Sequence, residues 1–420
     1  MFLPSWPNPN NMHHIDLTLD RVKLLLERLN NPHHNLPPTI HIAGTNGKGS
    51  TTAFLKSIFN QTGYKVHRYT SPHLVNFNER IELSDEIIDD DFLNEILNEV
   101  KLASEIKPKI PVTFFEGTTI GAFLAFSRIK ADILILETGM GGEFDATNVI
   151  NNPLCSIITT IDFDHQQYLG DNLSKIASAK AGIIKKNCLT ITTSQSQEVI
   201  KVIEDKAKLL NSNLIIAPEF IAKNFSNLSD LELGLKGVHQ QENANLAIAF
   251  SLIQTSFKFN NQQIIEGLKK ANWKARLQEI FDQKILNLLP KNCQLFLDGS
   301  HNLQGAKTVK NFLNNFPTKK ITIIFSMLND KNCCEFLSEI TTCQNYQIAE
   351  IIFIEMVNQP RAISVDDFSE IAKKLKINFK ILNNFSDAFN YIKETQTSLT
   401  LITGSLFFAS QFLKDFDNFN

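Results

Sequence analysis

The sequence predicts an α/β chain of two domains, a larger one around a mostly parallel sheet followed by a smaller one of the same type. Three observations carry this. The 420 residues exceed what a single hydrophobic core usually organises. Short apolar runs alternate with helical patterns, and such alternation covers a parallel sheet on both faces. The alternation then restarts near Gln294.

Taken in order, Asp16 to Asn30 repeats apolar residues at helical spacing (Leu17, Val22, Leu25, Leu26, Leu29) and stops before Pro32, which predicts an opening helix. Thr39 to Ala43 reads as a strand, and the Gly-rich turn after it runs into a helix from Ser50 to Asn60. Further strands are predicted at Tyr64 to Tyr69, Ile133 to Glu137, Leu154 to Thr160 and Leu189 to Thr193. Helices are predicted at Asp90 to Glu105, Phe115 to Ile129 and Ser174 to Ile184. In the second half, strands read at Gln294 to Leu297, Ile321 to Phe325, Ile351 to Ile354, Phe379 to Leu382 and Leu399 to Thr403. Their β–α alternation makes a Rossmann-like domain. The expected boundaries are residues 1–275 for the first domain, 276–291 for a linker and 292–420 for the second.

Composition narrows the function classes. Hydrophobic residues at 43% and charged residues at 20% argue for a globular chain over a disordered one. A formal net charge of -3 offers no broad basic field for a nucleic-acid backbone. No apolar segment approaches the roughly 20 residues that span a bilayer. Cys155, Cys188, Cys293, Cys333, Cys334 and Cys343 form no C-x-x-C pair, so reduced thiols are expected. Met1 to His14 lacks a basic stretch followed by an apolar run, so no secretory leader is expected and the cytoplasm is the predicted compartment.

The sharpest local signal is Gly44-Thr45-Asn46-Gly47-Lys48-Gly49-Ser50-Thr51, after a predicted strand and opening a helix. Its glycines let backbone N–H groups converge on phosphate oxygens at the helix amino end, the action of a P-loop. Lys48 is placed to reach the β- and γ-phosphates, and Ser50 or Thr51 to offer a hydroxyl to Mg²⁺. The strict pattern G-x-x-x-x-G-K-[ST] is not met, because Gly49 separates lysine from hydroxyl. The competing reading is an ordinary Gly-rich strand-to-helix turn.

This loop has the form found in the Mur ligase superfamily. Tyr69-Thr70-Ser71-Pro72-His73-Leu74 with Asn78-Glu79-Arg80-Ile81, Phe115-Glu116-x-x-Thr119, Asp145-Ala146-Thr147-Asn148, Asp164-His165 and Lys180-Ala181-Gly182 resemble blocks of the folylpolyglutamate and dihydrofolate synthases. Leu297-Asp298-Gly299-Ser300-His301-Asn302, Asp330-Lys331 and Gly404-Ser405-Leu406 match in the second half. The blocks follow family order along nearly the whole chain. The peptidoglycan Mur ligases carry a further domain ahead of their P-loop, whereas about 40 residues precede Gly44 here, too few for one.

The resemblance implies an ATP- and Mg²⁺-dependent ligase that couples L-glutamate to dihydropteroate, and to reduced folates, through an acyl phosphate. It implies Mg²⁺ ligands at Ser50, Ser71, Glu137 and His165. Glu137 ends an apolar strand, where ligands bind in such sheets. For His165 alone, a hydrogen-bonded structural histidine is the competing reading. Lys180 resembles a lysine that becomes carbamylated, against the alternative of a surface lysine on its helix. Asn243 resembles an asparagine near adenine, Arg276 an arginine that reaches phosphate, and Asp298 an aspartate that contacts the nucleotide. His301 and Ser405 resemble residues that place glutamate. Ser71, Pro72, His73, Arg80, Phe115, Asp145 and Ala146 match substrate positions, although one Phe among 32 is more often core.

Three departures stand out. Glu143 replaces the family's arginine, a reversal of charge near an anionic substrate. Lys274-Ala275 replaces Pro-Gly ahead of Arg276, and a Cβ at Ala275 disfavours positive φ, so this loop is expected to place Arg276 differently. An inserted turn is expected within Phe281 to Lys291. Two rival functions follow: a family member that works in one reaction only or binds without turnover, and, from another class, a P-loop kinase or nucleotide switch. A monomer acting on small molecules, without nucleic acid or membrane, is expected.

Overall fold

Thr39–Ala43 (β1) is buried at every residue, as expected of a strand with helices on both faces. In the computed structural model, which describes residues 6–7, 18–224, 231–316, 320–342 and 345–417, β1 lies inside an eight-stranded sheet. Its partners are β2 (Val66–Tyr69), β3 (Ile81–Leu83), β4 (Glu86–Ile87), β5 (Ile133–Glu137), β6 (Cys155–Ile158), β7 (Leu189–Thr192) and β8 (Asn213–Ile216). The order is β4-β3-β2-β5-β1-β6-β7-β8. Every pairing from β2 to β8 is parallel; β3 and β4 form an antiparallel hairpin at one edge. The sequence reading omits this hairpin because its turn, Ser84-Asp85, takes positive φ at both residues (53° and 78°) without the usual Gly or Asn. Residues Asp16 and Leu17 of the expected opening helix lie outside the described residues; the described helix is Asp20–Arg28.

The second sheet has six strands: β9 (Gln278–Glu279), β10 (Gln294–Leu297), β11 (Lys320–Phe325), β12 (Gln347–Ile354), β13 (Phe379–Leu382) and β14 (Leu399–Thr403), in the order β13-β12-β11-β14-β10-β9. All pair in parallel except β9 on β10. Phe296, Phe312, Phe325, Phe336, Phe353 and Phe368 fill its core, with Phe353 and Phe368 stacked at 4.3 Å. Burial of such rings is the main stabilising term, each worth roughly 1.5–3 kcal/mol.

The chain divides into two compact units. One takes Met1–Gly234 and Gln240–Asn272, the other Leu235–His239 and Trp273–Asn420. The stretch 276–291, expected as a linker, carries β9 and a short helix at Gln283–Leu286 and packs with the second unit. Among the described residues no helix is long and apolar enough to cross a membrane.

Candidate active site

The turn after β1 is held open by its glycines and tied to the end of β6. Gly47 has φ 92° and caps the helix Lys48–Asn60, a conformation that L side chains rarely adopt. A Cβ on it would stand 2.2 Å from Asn243 Oδ1, so the asparagine that sequence likeness points to packs directly on this loop. A Cβ on Gly44 would meet Thr159 Oγ1 at 1.8 Å. Thr45 and Asn46 N–H both donate to the Thr160 carbonyl, at 2.9 and 3.3 Å, and Thr45 Oγ1 donates to Asp162 O at 2.9 Å. The amino end of the Lys48 helix is thereby presented at the carboxyl edge of the sheet, where helix N–H groups bind anions.

Two lysine Nζ groups converge on one carbonyl there. Lys48 Nζ donates to Gly44 O at 3.1 Å and Thr45 O at 3.2 Å; Lys180 Nζ donates to the same Gly44 O at 2.8 Å. Lys180 is 3% exposed, which corrects the alternative of a surface lysine. The helix Leu173–Ala181 turns it inward against the loop. Burial, then the Lys48 charge, lower its pKa to about 7, while Asp164 and Asp145 act in the opposite sense.

Glu137 ends β5 opposite Ile42 of β1 and is 4% exposed. Its Oε2 accepts from Ser71 N–H at 3.4 Å, which brings the loop after β2 to the same sheet edge. Arg80, buried, and Arg68, half-buried, have pKa values lowered by desolvation, and the Glu137 carboxylate favours their charged forms. Arg80 Nε donates to His73 Nδ1 at 3.0 Å, and its guanidinium lies over the Phe77 and Phe114 rings. His165 takes φ 50°, begins a one-turn helix and keeps 41% of its side chain exposed; its Nε2 is 3.6 Å from Asp164 Oδ2.

The fit of a divalent ion rests on oxygen. Among the described residues no three His, Cys, Asp or Glu side chains cluster as a metal site. Glu137 and Ser50 are buried at the edge, and the hydroxyls of Thr51 and Thr138 are buried without a hydrogen-bond partner. One carboxylate with hydroxyls suits Mg²⁺, which takes few protein ligands and completes its shell with water and phosphate.

Asp145 is 6% exposed and holds its own loop. Its carboxylate accepts from the N–H groups of Gly139, Met140 and Thr147 and from Thr147 Oγ1, the last at 2.6 Å. Four donors fill the lone-pair directions of a carboxylate. Since Thr147 Oγ1 gives its proton to Asp145, it accepts from His41 Nε2 at 2.8 Å, which fixes the tautomer of that buried, neutral histidine. Burial, then the charge of Lys185, lower the His41 pKa to about 3. Ala146 is buried beside this loop. Phe115 is half-buried: its ring packs on Gly139 and lies 6.2 Å from the Tyr69 ring. The Glu143 side chain is exposed while its N–H bonds Ala179 O at 2.7 Å, so the reversed charge points into solvent.

In the second unit, Asp298 follows β10 and is 2% exposed. It accepts from Leu277 N–H and Ser300 N–H, both at 2.9 Å. Ala275 corrects the expectation raised by its Cβ: it adopts φ 56° regardless, as Leu277 adopts 45°. The strain is overcome by Gly299 N–H on Ala275 O, Ala275 N–H on Gln278 Oε1 and the Asp298 contact. Arg276 is held there, with Nη1 on Ala275 O at 2.9 Å. His301 Nδ1 lies 2.9 Å from Gly299 O, so Nδ1 carries the proton. Ser405 is buried and accepts from Phe407 N–H. Sequence reasoning missed Thr159, Thr160 and Asp162, which hold the Gly-rich turn through backbone atoms that no motif records.

The model of the Mur ligase middle domain matches residues 42–251, and that of the C-terminal domain of dihydrofolate synthetase matches residues 282–415. The dihydrofolate synthase/folylpolyglutamate synthase of Bacillus subtilis is 32% identical over 439 aligned positions, covering 98% of this chain and 97% of its own. A crystal structure of folylpolyglutamate synthase from Thermotoga maritima is 31% identical, covers 96% of this chain and 94% of its own, and has a TM-score of 0.79. The Escherichia coli protein FolC, solved with DHPP and ADP, is 25% identical, covers 97% and 95%, and has a TM-score of 0.81.

Proposed function

The chain belongs to the dihydrofolate synthase/folylpolyglutamate synthase family, and on that footing we propose that it joins L-glutamate to dihydropteroate and extends reduced folates with glutamate, using ATP. The observation that carries the reading is the meeting of Lys48 and Lys180 on the Gly44 carbonyl at a helix amino end. An electropositive, partly dry cradle of this kind suits a triphosphate whose terminal group is transferred.

In the first step a carboxylate oxygen of the pterin substrate attacks the γ-phosphorus of ATP and ADP leaves. In the second, the glutamate amine attacks the acyl carbon, phosphate leaves and the amine proton is released. Lys48 moves from its two loop carbonyls to the phosphate oxygens, and the N–H groups of Gly47 to Ser50 orient them. Glu137 and Ser50, with Ser71 and His165, are the proposed holders of Mg²⁺, which when bound neutralises phosphate charge. Lys180, with a pKa near neutrality, supplies the uncharged amine that carbamylation requires. Asn243, Arg276 and Asp298 are assigned to the nucleotide, and His301 and Ser405 to glutamate. Ser71, Pro72, His73, Arg80, Phe115, Asp145 and Ala146 are assigned to the pterin side; Asp145 acts there by shaping the 139–147 loop, since its oxygens are occupied. The free thiols of Cys155, Cys188, Cys293, Cys333 and Cys334 suit the cytoplasm, where we place the enzyme as a monomer. Expected Cys343 lies outside the described residues.

The test offers purified protein ATP, Mg²⁺ and labelled glutamate, with dihydropteroate and tetrahydrofolate supplied separately. Label should enter both products, and Lys48→Ala should abolish it while the protein stays folded. Phosphate release that needs neither glutamate nor pterin would instead mark a kinase or switch. Tight ATP binding without product would mark a family member that has lost turnover.

A further inference from the structure

We propose that Gln195 is a positioning residue for the nucleotide loop, acting through a stretch of backbone that has been turned over to hold it. In a regular strand, the N–H and C=O of one residue face the same neighbour. Just beyond β6 this rule breaks. Thr159 N–H donates to Ala43 O at 2.8 Å, on the β1 side, yet Thr159 C=O faces the opposite side, where it accepts from Gln195 Nε2 at 3.0 Å. The next residue is rotated in the complementary sense: Thr160 C=O faces β1 and receives the N–H groups of Thr45 and Asn46. Ile161 N–H then faces back and donates to Gln195 Oε1 at 3.1 Å.

The rotation is what makes a carbonyl available to the Gly-rich turn. It also strands two backbone groups on the β7 side, where the β7 backbone has already turned away into the helix Gln197–Leu209, capped by Ser196. The carboxamide of Gln195 replaces the missing strand, giving one donor and one acceptor as a peptide group would. Its Nε2 also reaches Thr192 Oγ1 at 3.2 Å, which itself donates to Ile158 O. Without Gln195, Thr159 C=O and Ile161 N–H lose their partners, and an unpaired backbone group is costly enough to favour relaxation. Relaxation to regular strand geometry swings Thr160 C=O away from Thr45 and Asn46. Gln195 touches no phosphate; it sets the loop that does.

The inference rests on the reading of this turn as the ATP site, so its test separates the two. In Gln195→Met, which keeps length and loses both bonds, hydrogen exchange at the Thr45, Asn46 and Ile161 amides without nucleotide should speed up by roughly tenfold or more, the scale of one net hydrogen bond. Calorimetric titration with MgATP should show a Kd raised about tenfold, with kcat at saturating ATP within about threefold of the parent. Gln195→Glu keeps the acceptor and lacks the donor until protonated, so its Kd relative to the parent should recover as pH falls. Should the Met variant fail to fold, the Glu variant carries the same exchange readout. Parental exchange rates at these amides overturn the proposal whether or not ATP binds, as does a Met variant whose loss lies in kcat with Kd unchanged. Faster exchange in a protein whose parent binds no MgATP upholds the positioning role and sinks the functional reading instead.

Discussion

Lys180→Met should make the first unit more stable while removing ligase activity, and the gain should depend on pH. The lysine is 3% exposed and its pKa falls from 10.5 to about 7. At about 1.36 kcal/mol per pH unit, keeping it charged in the folded chain costs roughly 5 kcal/mol. Between pH 7 and 10.5 the unfolded chain binds this proton and the folded chain does not, so the parent gains stability as pH rises through that window. Below pH 7 both states are protonated and the whole cost is present; above 10.5 it vanishes. Methionine removes the cost and forfeits one hydrogen bond to Gly44 O, worth about 1–2 kcal/mol. The net gain is about 3–4 kcal/mol at pH 6 and about 0–1 kcal/mol at pH 9. Scanning calorimetry in CO₂-free buffer, which keeps the amine unmodified, should show the first-unit transition rise by roughly 10 °C at pH 6 and by a few degrees at most at pH 9. A variant that melts below the parent at pH 6, or a difference that does not narrow by pH 9, refutes the reasoning.

Two further substitutions probe the backbone of the site. Gly47→Ala should weaken MgATP binding by at least tenfold, because it combines φ 92° with a Cβ 2.2 Å from Asn243 Oδ1. Adding Asn243→Ala clears the clash but leaves the dihedral strain, so titration of the double variant should show no return to parental affinity. In the second unit, Ala275→Gly should stay within about 1 kcal/mol of the parent, relief of left-handed strain being offset by chain entropy and a lost methyl. Ala275→Val should cost about 2 kcal/mol or more in its unfolding transition, since a β-branched residue tolerates φ 56° poorly; equal stability of the two would show that the turn is not held left-handed.

Most strands and helices, the place of the Gly-rich turn between a strand and a helix, and the presence of two largely parallel sheets were legible in the sequence. They depend on local periodicity and on residues whose backbone preferences act within a few positions. Glu137 was legible for the same reason: a charged residue ending an apolar run must stand at a strand terminus. Burial of Lys180 was not, because a helix shows which residues share a face but not whether that face meets solvent or a carbonyl 136 positions away. The Ser84-Asp85 and Ala275 turns were missed or misread because tertiary contacts held side chains in dihedrals that local preference argues against. Gln195 was invisible, since its partners are peptide groups that carry no sequence signal. Local preference therefore settled where the elements lie, and long-range hydrogen bonding settled which of their atoms meet; the second depends on the folded path of the chain and on nothing nearer.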